Sequence, residues 1–418
     1  MNRKKILILG GTNFSCEIVE EARKLGYIVH VADYNIDSPA KALADYSYMT
    51  SATDVDEIAK IIHDNTIDGV IFGYADVLMS SYVDICKKAD LPCYTNHQLN
   101  RLTLDKQYFK EVCEKYGIPT IPTYTVTQVD EDEVEYPILV KPIDNSGARG
   151  IFICHNKVEF YELYQKSLSF SKNKSVLIEK YCKSSEATAF YYFHKGEVYL
   201  LGFADRLMLR YDDTNLPLPV GYIFPSMSYQ KLGQELLLTI PNMFKQEGFK
   251  EGFLFMQGFI ENNSFVPYEI GYRFTASMEQ HLFEHIYGFN HMTAILQYAV
   301  NNEDEICNIE KINPAIGHYA NVTLLLNKGT ITAYVGIEEL KKHPNVLHTF
   351  VSYPIGTQIT DQHYGKLAQA GIRVLLYANN NNELATLMNY AKEAISVLDE
   401  NGNDMIIRNY TYGEEVVI

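Results

Sequence analysis

The chain has 418 residues, more than one hydrophobic core usually organises, so two or three domains are expected with room for a site between them. It is 47% hydrophobic and 21% charged, with no tract polar enough to predict disorder. A formal charge of -16 without any Lys/Arg-rich stripe excludes extended contact with a nucleic-acid backbone.

Seven cysteines (Cys16, Cys86, Cys93, Cys113, Cys154, Cys182, Cys307) lie scattered, in an odd count and with no C-x-x-C pair. That pattern predicts reduced thiols, not a disulfide framework or a zinc knuckle. The opening MNRKKILILGG loses its apolar run at Gly10, too early for a signal peptide. No run approaches the roughly 18 apolar residues of a membrane helix, so a cytoplasmic protein without a membrane partner is expected.

In chain order, KILILG, IVHVAD and DGVIFG alternate with the helical patterns CEIVEEARKLG, DEIAKIIHD and SYVDICKKAD. Continuous apolar strands between amphipathic helices predict a parallel, doubly wound sheet, with helix stops at Gly26 and Gly117. After the helix in DKQYFKEVCEKYG come Pro-punctuated strands, then β-rich stretches such as FYYFHKGEVYLLGFAD and the hairpin-like GFIENNSFVPYEI. One helix is expected around Glu279 to Val300, then strands in HYANVTLLL, GTITAYVG and RVLLYAN, then a final helix near Glu383 to Leu398. The aromatics of FYYFH read as core and sheet surface.

Two turns carry candidate chemistry. ILILGGTNFS places Gly10 and Gly11 where a strand meets a helix, with Asp33 ending the next strand, but G-x-G-x-x-G is absent and a structural or substrate-lining turn is the better reading. YPILVKPIDNSGARGIFIC is a strand ending in Lys141, then a loop with Ser146, Gly147, Arg149 and Gly150, then a second strand. Small residues let backbone amides approach phosphates while Lys141 and Arg149 add charge; alternatively the segment is a hairpin with a flexible tip.

Downstream lie VLIEKYCKSSEATAF, with Glu179, Lys180, Tyr181, Cys182 and Glu186, then GFLFMQGFI with Gln257, then VPYEIGYRF with Glu269 and Arg273. In this order the parts resemble the ATP-grasp superfamily, most of all the carbamoyl phosphate synthetase large subunit and the L-amino-acid ligases, over nearly the whole chain.

The resemblance implies an α/β and α+β multidomain fold: a parallel-sheet pre-ATP-grasp domain over 1–98, an ATP-grasp domain over 99–304 with a lid at about 120–182, and a small C-terminal α+β domain over 305–418. It implies ATP and Mg2+ as cofactors and a likeness to homodimeric enzymes that join small-molecule carboxylates and amines. Lys106 and Lys141 would contact phosphates, with the glycine-rich loop at Ser146, Gly147, Arg149 and Gly150. The adenine hinge would be Glu179, Lys180, Tyr181 and Cys182, and Glu186 would hold the ribose. Glu269 and Gln257 would ligate Mg2+, and Arg273 would stabilise the transferring phosphoryl group.

The usual ending of the family, E-x-N-x-R, here reads Glu269, Ile270, Gly271, Tyr272, Arg273, so the Asn ligand of a second metal is missing. Arg206, in ADRLMLRYDD, suits a substrate carboxylate or terminal phosphates, or else a solvated pair with Asp205. HLFEH matches the H-x-x-E-H zinc motif through His281, Glu284 and His285, or is pocket lining or plain helix surface. The implied activity is carboxylate-amine ligation through an acyl phosphate, the alternative being a nucleotide-binding protein with little or no turnover.

Overall fold

The computed structural model describes residues 3–145, 149–210, 216–303, 313 and 317–412. β1 (Lys5–Leu9), β2 (Ile28–Ala32), β3 (Tyr46–Tyr48) and β4 (Gly69–Phe72) form a parallel sheet in the order β3-β2-β1-β4. β1, β2 and β4 are buried along nearly their whole length beneath helices such as Ser15–Lys24 and Met79–Ala89, as the unbroken apolar runs require. Gly26 and Gly117 take φ of +80° and +72° past helix ends, as expected. At the first turn the Gly11 amide donates to Asp33 Oδ2 at 2.7 Å and the Asn35 amide to Oδ1, also at 2.7 Å. Asp33 thus closes the turn on itself.

A small antiparallel sheet follows, built from β5 (Thr123–Tyr124), β6 (Ile138–Pro142), β7 (Phe152–Cys154) and β8 (Val176–Lys180) in the order β5-β8-β6-β7. With helix Lys157–Phe170 it encloses a separate core of Val129, Ile138, Val140, Cys154, Phe160 and Ile178.

The largest layer is an antiparallel sheet. Its middle-region strands are β9 (Glu186–His194), β10 (Glu197–Leu209), β11 (Leu218–Phe224), β12 (Gly252–Glu261) and β13 (Ser264–Gly271). The β12–β13 hairpin turns at Asn262 and Asn263, both at positive φ, which Asn tolerates better than most residues. Phe190, Tyr191, Tyr192 and Phe193 are all buried, so the aromatic run of β9 is core on both faces.

The last hundred residues supply β14 (His318–Leu325), β15 (Gly329–Thr330), β16 (Ala333–Val335), β17 (Val346–Val351), β18 (Gln358–Ile359), β19 (Ala370–Ala378) and β20 (Ser396–Leu398). β14, β19 and β17 join the large sheet, giving eight strands in the order β13-β12-β9-β10-β11-β14-β19-β17, so one sheet crosses from the middle region into the C-terminal region. β15 pairs with β18 and β16 with β20.

Two helical expectations change. Gly288, at φ +67°, ends one helix at Tyr287, and Asn290 caps a second from His291 to Asn301. The last helix covers Asn381–Ala394 and gives way to β20, whose residues pair with Val335 to Ala333.

Gly69 shows how closely the first sheet meets the rest. A Cβ there would lie 2.3 Å from the Ala299 carbonyl oxygen in helix His291–Asn301. Because that neighbour is backbone, Gly69→Val is expected to lower unfolding free energy by about 1–3 kcal/mol in a denaturant titration, whereas Gly26→Ala, with open space around it, should cost mainly the strain of its positive φ.

Candidate functional site

Lys106, Lys141, Glu179, Lys180, Tyr181, Cys182, Glu186, Arg206, Gln257, Glu269 and Arg273 line one cavity of about 560 Å³, whereas Gly10, Gly11, Asp33, His281, Glu284 and His285 do not. Ser146 and Gly147 lie outside the described residues. Arg149 is exposed, and Gly150 has a packing role: at φ +80° its missing side chain leaves room for Phe170, which a Cβ would meet at 2.6 Å.

At the end predicted to hold phosphates, β6 and β8 bring Lys141 beside Glu179. The ammonium sits 2.6 Å from Oε2, and Lys110, from helix Lys106–Lys115, reaches Oε1 at 3.2 Å. All three side chains are largely buried. Burial works to raise the Glu179 carboxyl, but Lys141 and Lys110 together hold it below the ordinary carboxylate range. Lys106 begins the same helix after the Asp105 cap and donates to the Asn145 carbonyl, at the edge of the Gly-rich loop. Burial lowers its pKa, against the pull of Glu269.

Along the predicted hinge, Tyr181 accepts a hydrogen bond from Arg210 at 2.6 Å. Burial pushes the Cys182 thiol up to about 12, which makes it an apolar wall and not a nucleophile. Glu186 faces Arg206 from the neighbouring strand, Nη1 to Oε2 at 2.5 Å, and Tyr268 donates to the same oxygen at 2.7 Å. Asp205 points the other way, accepting from Ser226 at 2.5 Å and from the Met227 amide at 2.9 Å. The solvated Asp205–Arg206 pair is therefore absent; Arg206 is buried and reads the cavity.

Gln257 and Glu269, the predicted metal ligands, are register partners across β12 and β13. Directly opposed side chains start about 5 Å apart, so an amide oxygen and a carboxylate converge there, an all-oxygen set suited to Mg2+. Among the described residues no hydrogen bond occupies the Glu269 carboxylate. The missing Asn has a steric counterpart: Gly271 pairs with Phe255, and a Cβ at 271 would lie 2.3 Å from that ring. The aromatic ring fills the space a second metal ligand would need. Arg273 stacks over the same ring at 5.2 Å and forks onto Asp76, Nε to Oδ1 at 2.5 Å and Nη2 to Oδ2 at 3.0 Å.

The cavity continues to an arm that the sequence reading did not find, marked by Glu279 and Arg373. Glu279 is fully buried and Arg373 partly so, and each keeps one buried polar atom without a hydrogen-bond partner, Glu279 Oε1 and Arg373 Nε. Thr275 donates to the other Glu279 oxygen, and Arg373 Nη1 donates to Ser352 Oγ at 3.3 Å. Burial raises the Glu279 carboxyl to about 7 and lowers the Arg373 guanidinium. Sequence signals for this arm were absent, since Glu279 opens a helix and Arg373 sits inside an apolar strand some ninety residues on. Among the described residues no carboxylate forms an ion pair with Lys106 or Arg373.

Residues 105–188 match the family described as carbamoyl-phosphate synthase L chain, ATP binding domain. The 2-oxoglutarate carboxylase small subunit of Hydrogenobacter thermophilus is 27% identical over 209 residues, 45% of this chain and 44% of that protein, so the chain spans less than half the length of this curated relative. An L-amino acid ligase from Bacillus licheniformis superposes with TM-score 0.76 at 17% identity, covering 96% of this chain and 100% of that one. The biotin carboxylase domain of the Hydrogenobacter thermophilus 2-oxoglutarate carboxylase, a dimer solved with MgADP, ADP and bicarbonate, gives TM-score 0.76 at 18% identity over 97% of this chain and 91% of that one. No described helix is long and apolar enough to cross a membrane.

Two outcomes follow from the packing. Gly271→Asn should destabilise by about 1–3 kcal/mol in chemical denaturation, and Phe255→Ala in the same chain should recover part of that loss by opening the space. Glu179→Gln strands two buried ammonium groups and should cost about 3–5 kcal/mol at neutral pH. Because the folded Glu179 pKa lies below its unfolded value, its stabilisation is present above the ordinary carboxylate range and fades as pH falls through the folded pKa. Melting temperatures of wild type and variant should therefore converge in acid.

Proposed function

For a chain with the ATP-grasp fold, we propose an ATP-dependent ligase that joins a small carboxylate to an amine through an acyl phosphate. The observation that carries this reading is the continuity of one cavity from the Lys106 and Glu269 end to the Arg373 and Glu279 end, each end holding a cation that no described carboxylate neutralises. One suits a polyphosphate, the other a substrate carboxylate.

Lys106 and Lys141 would hold phosphate oxygens, with Glu179 holding the Lys141 ammonium in place. Lys180, Tyr181 and Cys182 would line the base, and Glu186 the ribose. Glu269 and Gln257 would hold Mg2+, which would supply charge neutralisation at the phosphates. Arg273, oriented by Asp76, would offset negative charge at the transferring phosphoryl group. Arg206 would face the developing acyl phosphate, and Arg373 would dock the carboxylate. The carboxylate oxygen takes the γ-phosphoryl group with release of ADP; the amine nitrogen then attacks the acyl carbon, loses a proton and expels phosphate. Positioning and charge do the catalysis, without a covalent protein nucleophile. The relatives suggest bicarbonate, amino acids or other small acids as the carboxylate, and a dimer as the assembly.

A substrate-dependent ADP-release screen over carboxylates and amines tests the reading. Glu269→Ala should abolish release by removing the metal ligand, while Arg373→Met should raise KM for the carboxylate at least tenfold and leave Mg-ATP binding by calorimetry unchanged. ATP binding without ADP release across a broad panel would favour a nucleotide-binding protein with little turnover, and Arg373→Met with an unaltered KM would take that residue out of substrate recognition.

A further inference from the structure

The H-x-x-E-H run does not act as one helical motif. The His285 ring packs against Tyr377, with centroids 4.9 Å apart, and Glu284 accepts from Asn290 at 3.1 Å. His281 turns instead toward helix Ser15–Lys24, where its Nε2 lies 2.7 Å from Glu17 Oε2. The other oxygen of that carboxylate lies 3.3 Å from Nε2 of His348, which comes from β17. The two imidazoles are stacked with centroids 3.8 Å apart, and the three donor atoms all lie within 4.8 Å of one another.

We propose that Glu17, His281 and His348 bind a divalent transition-metal ion, with Zn2+ as the best fit, at a site separate from the oxygen-lined Glu269 and Gln257 pair. Two imidazole nitrogens and a carboxylate oxygen are donors that favour a borderline ion over Mg2+. With metal–ligand bonds of about 2.0–2.1 Å, tetrahedral donors stand about 3.3 Å apart. The 2.7 and 3.3 Å contacts are near that spacing but run to different carboxylate oxygens, and the two stacked rings must splay so that both Nε2 lone pairs face one ion.

Two further observations point to a ligand. His348 Nε2 is buried yet makes no hydrogen bond of acceptable geometry, although it faces the carboxylate. Beside the three donors a cavity of about 330 Å³ is lined also by Glu20, Glu21, Lys24 and Asn290, which leaves room for water in a remaining coordination position. The donors are held from outside: Phe14 stacks on Phe350 at 4.9 Å, tying the start of one helix to β17, and Thr293 donates to Glu21. Lys24 is engaged with Glu21 at 3.1 Å.

The three donors come from the first sheet's helix, the helix after Arg273 and the C-terminal part of the large sheet, so a bound ion clips three distant segments together. Phe14 and Glu279, three and two residues from Glu17 and His281, line the far arm of the large cavity, so the ion would also brace that wall.

The test uses the full chain, stripped with a chelator and titrated with Zn2+ by calorimetry and with Co2+ by visible absorption. One ion per chain, a Co2+ spectrum without a thiolate charge-transfer band, and a rise in melting temperature on Zn2+ addition are expected. His281→Gln and His348→Gln should each weaken Zn2+ binding by more than about 100-fold, above the roughly 10–100-fold expected for an outer-shell partner, while His285→Gln leaves it unchanged. Absence of stoichiometric binding by the wild-type chain, binding that survives in the His281→Gln/His348→Gln double variant, or a thiolate charge-transfer band would each overturn the proposal.

Discussion

The fork between Arg273 and Asp76 is the interaction on which the rest of the site depends. Asp76 follows β4 at the carboxyl end of the parallel sheet, and Arg273 follows β13 at the edge of the large antiparallel sheet, so two parallel N–H···O contacts join separately built layers. A bidentate guanidinium pair resists both sliding and rotation, which a single contact would not. Strand alternation then does the rest. Glu269, Gly271 and Arg273 share one face, toward the cavity, while Ile270 and Tyr272 turn into the core, where Tyr272 donates to the Tyr94 carbonyl at 2.9 Å. The placement of Glu269, the space taken by Phe255 and the Arg273–Asp76 pair are thus three consequences of one register.

What the sequence reading recovered is what local rules dictate. Apolar runs named the parallel strands, Gly117 ended a helix, and the Asn-Asn turn marked a hairpin, because each depends on a few neighbouring residues. Lys141, Glu179, Glu186 and Arg206 were nominated singly, yet their pairings were hidden. Nothing within ten residues of Glu179 announces that its carboxylate will sit between Lys141 and Lys110, since the pairing arises from β6–β8 register and from a helix sixty-nine positions away. Asp76, Glu279 and Arg373 escaped for the same reason. The apolar pattern from Glu279 to Val300 read as one helix because periodicity survives a tight turn, and only Gly288 and Asn290, a stop followed by a cap, divide it. The contact of Gly150 with Phe170, twenty positions on, is likewise invisible in the local pattern of its loop.

The chain carries a net charge of -16, yet the cavity gathers several cations. Most of the cations there are already matched: Lys141 and Lys110 by Glu179, Arg206 by Glu186, Arg273 by Asp76. Those pairs cost desolvation and add little net attraction for a ligand, so their value lies in fixed orientation. Lys106 and Arg373 differ. Their electrostatic neighbours form separate sets, Glu269, Lys141, Asp76 and Glu179 around Lys106, and Glu279, Tyr222, Tyr353 and Tyr74 around Arg373. Burial lowers the pKa of both, which is the mark of a cation held out of water without enough compensating negative charge. An anion arriving at either position supplies that charge. Two such positions in one cavity, with Glu269 beside the first and a protonatable carboxyl, Glu279, beside the second, are the electrostatic basis of the proposal that two anionic groups meet there.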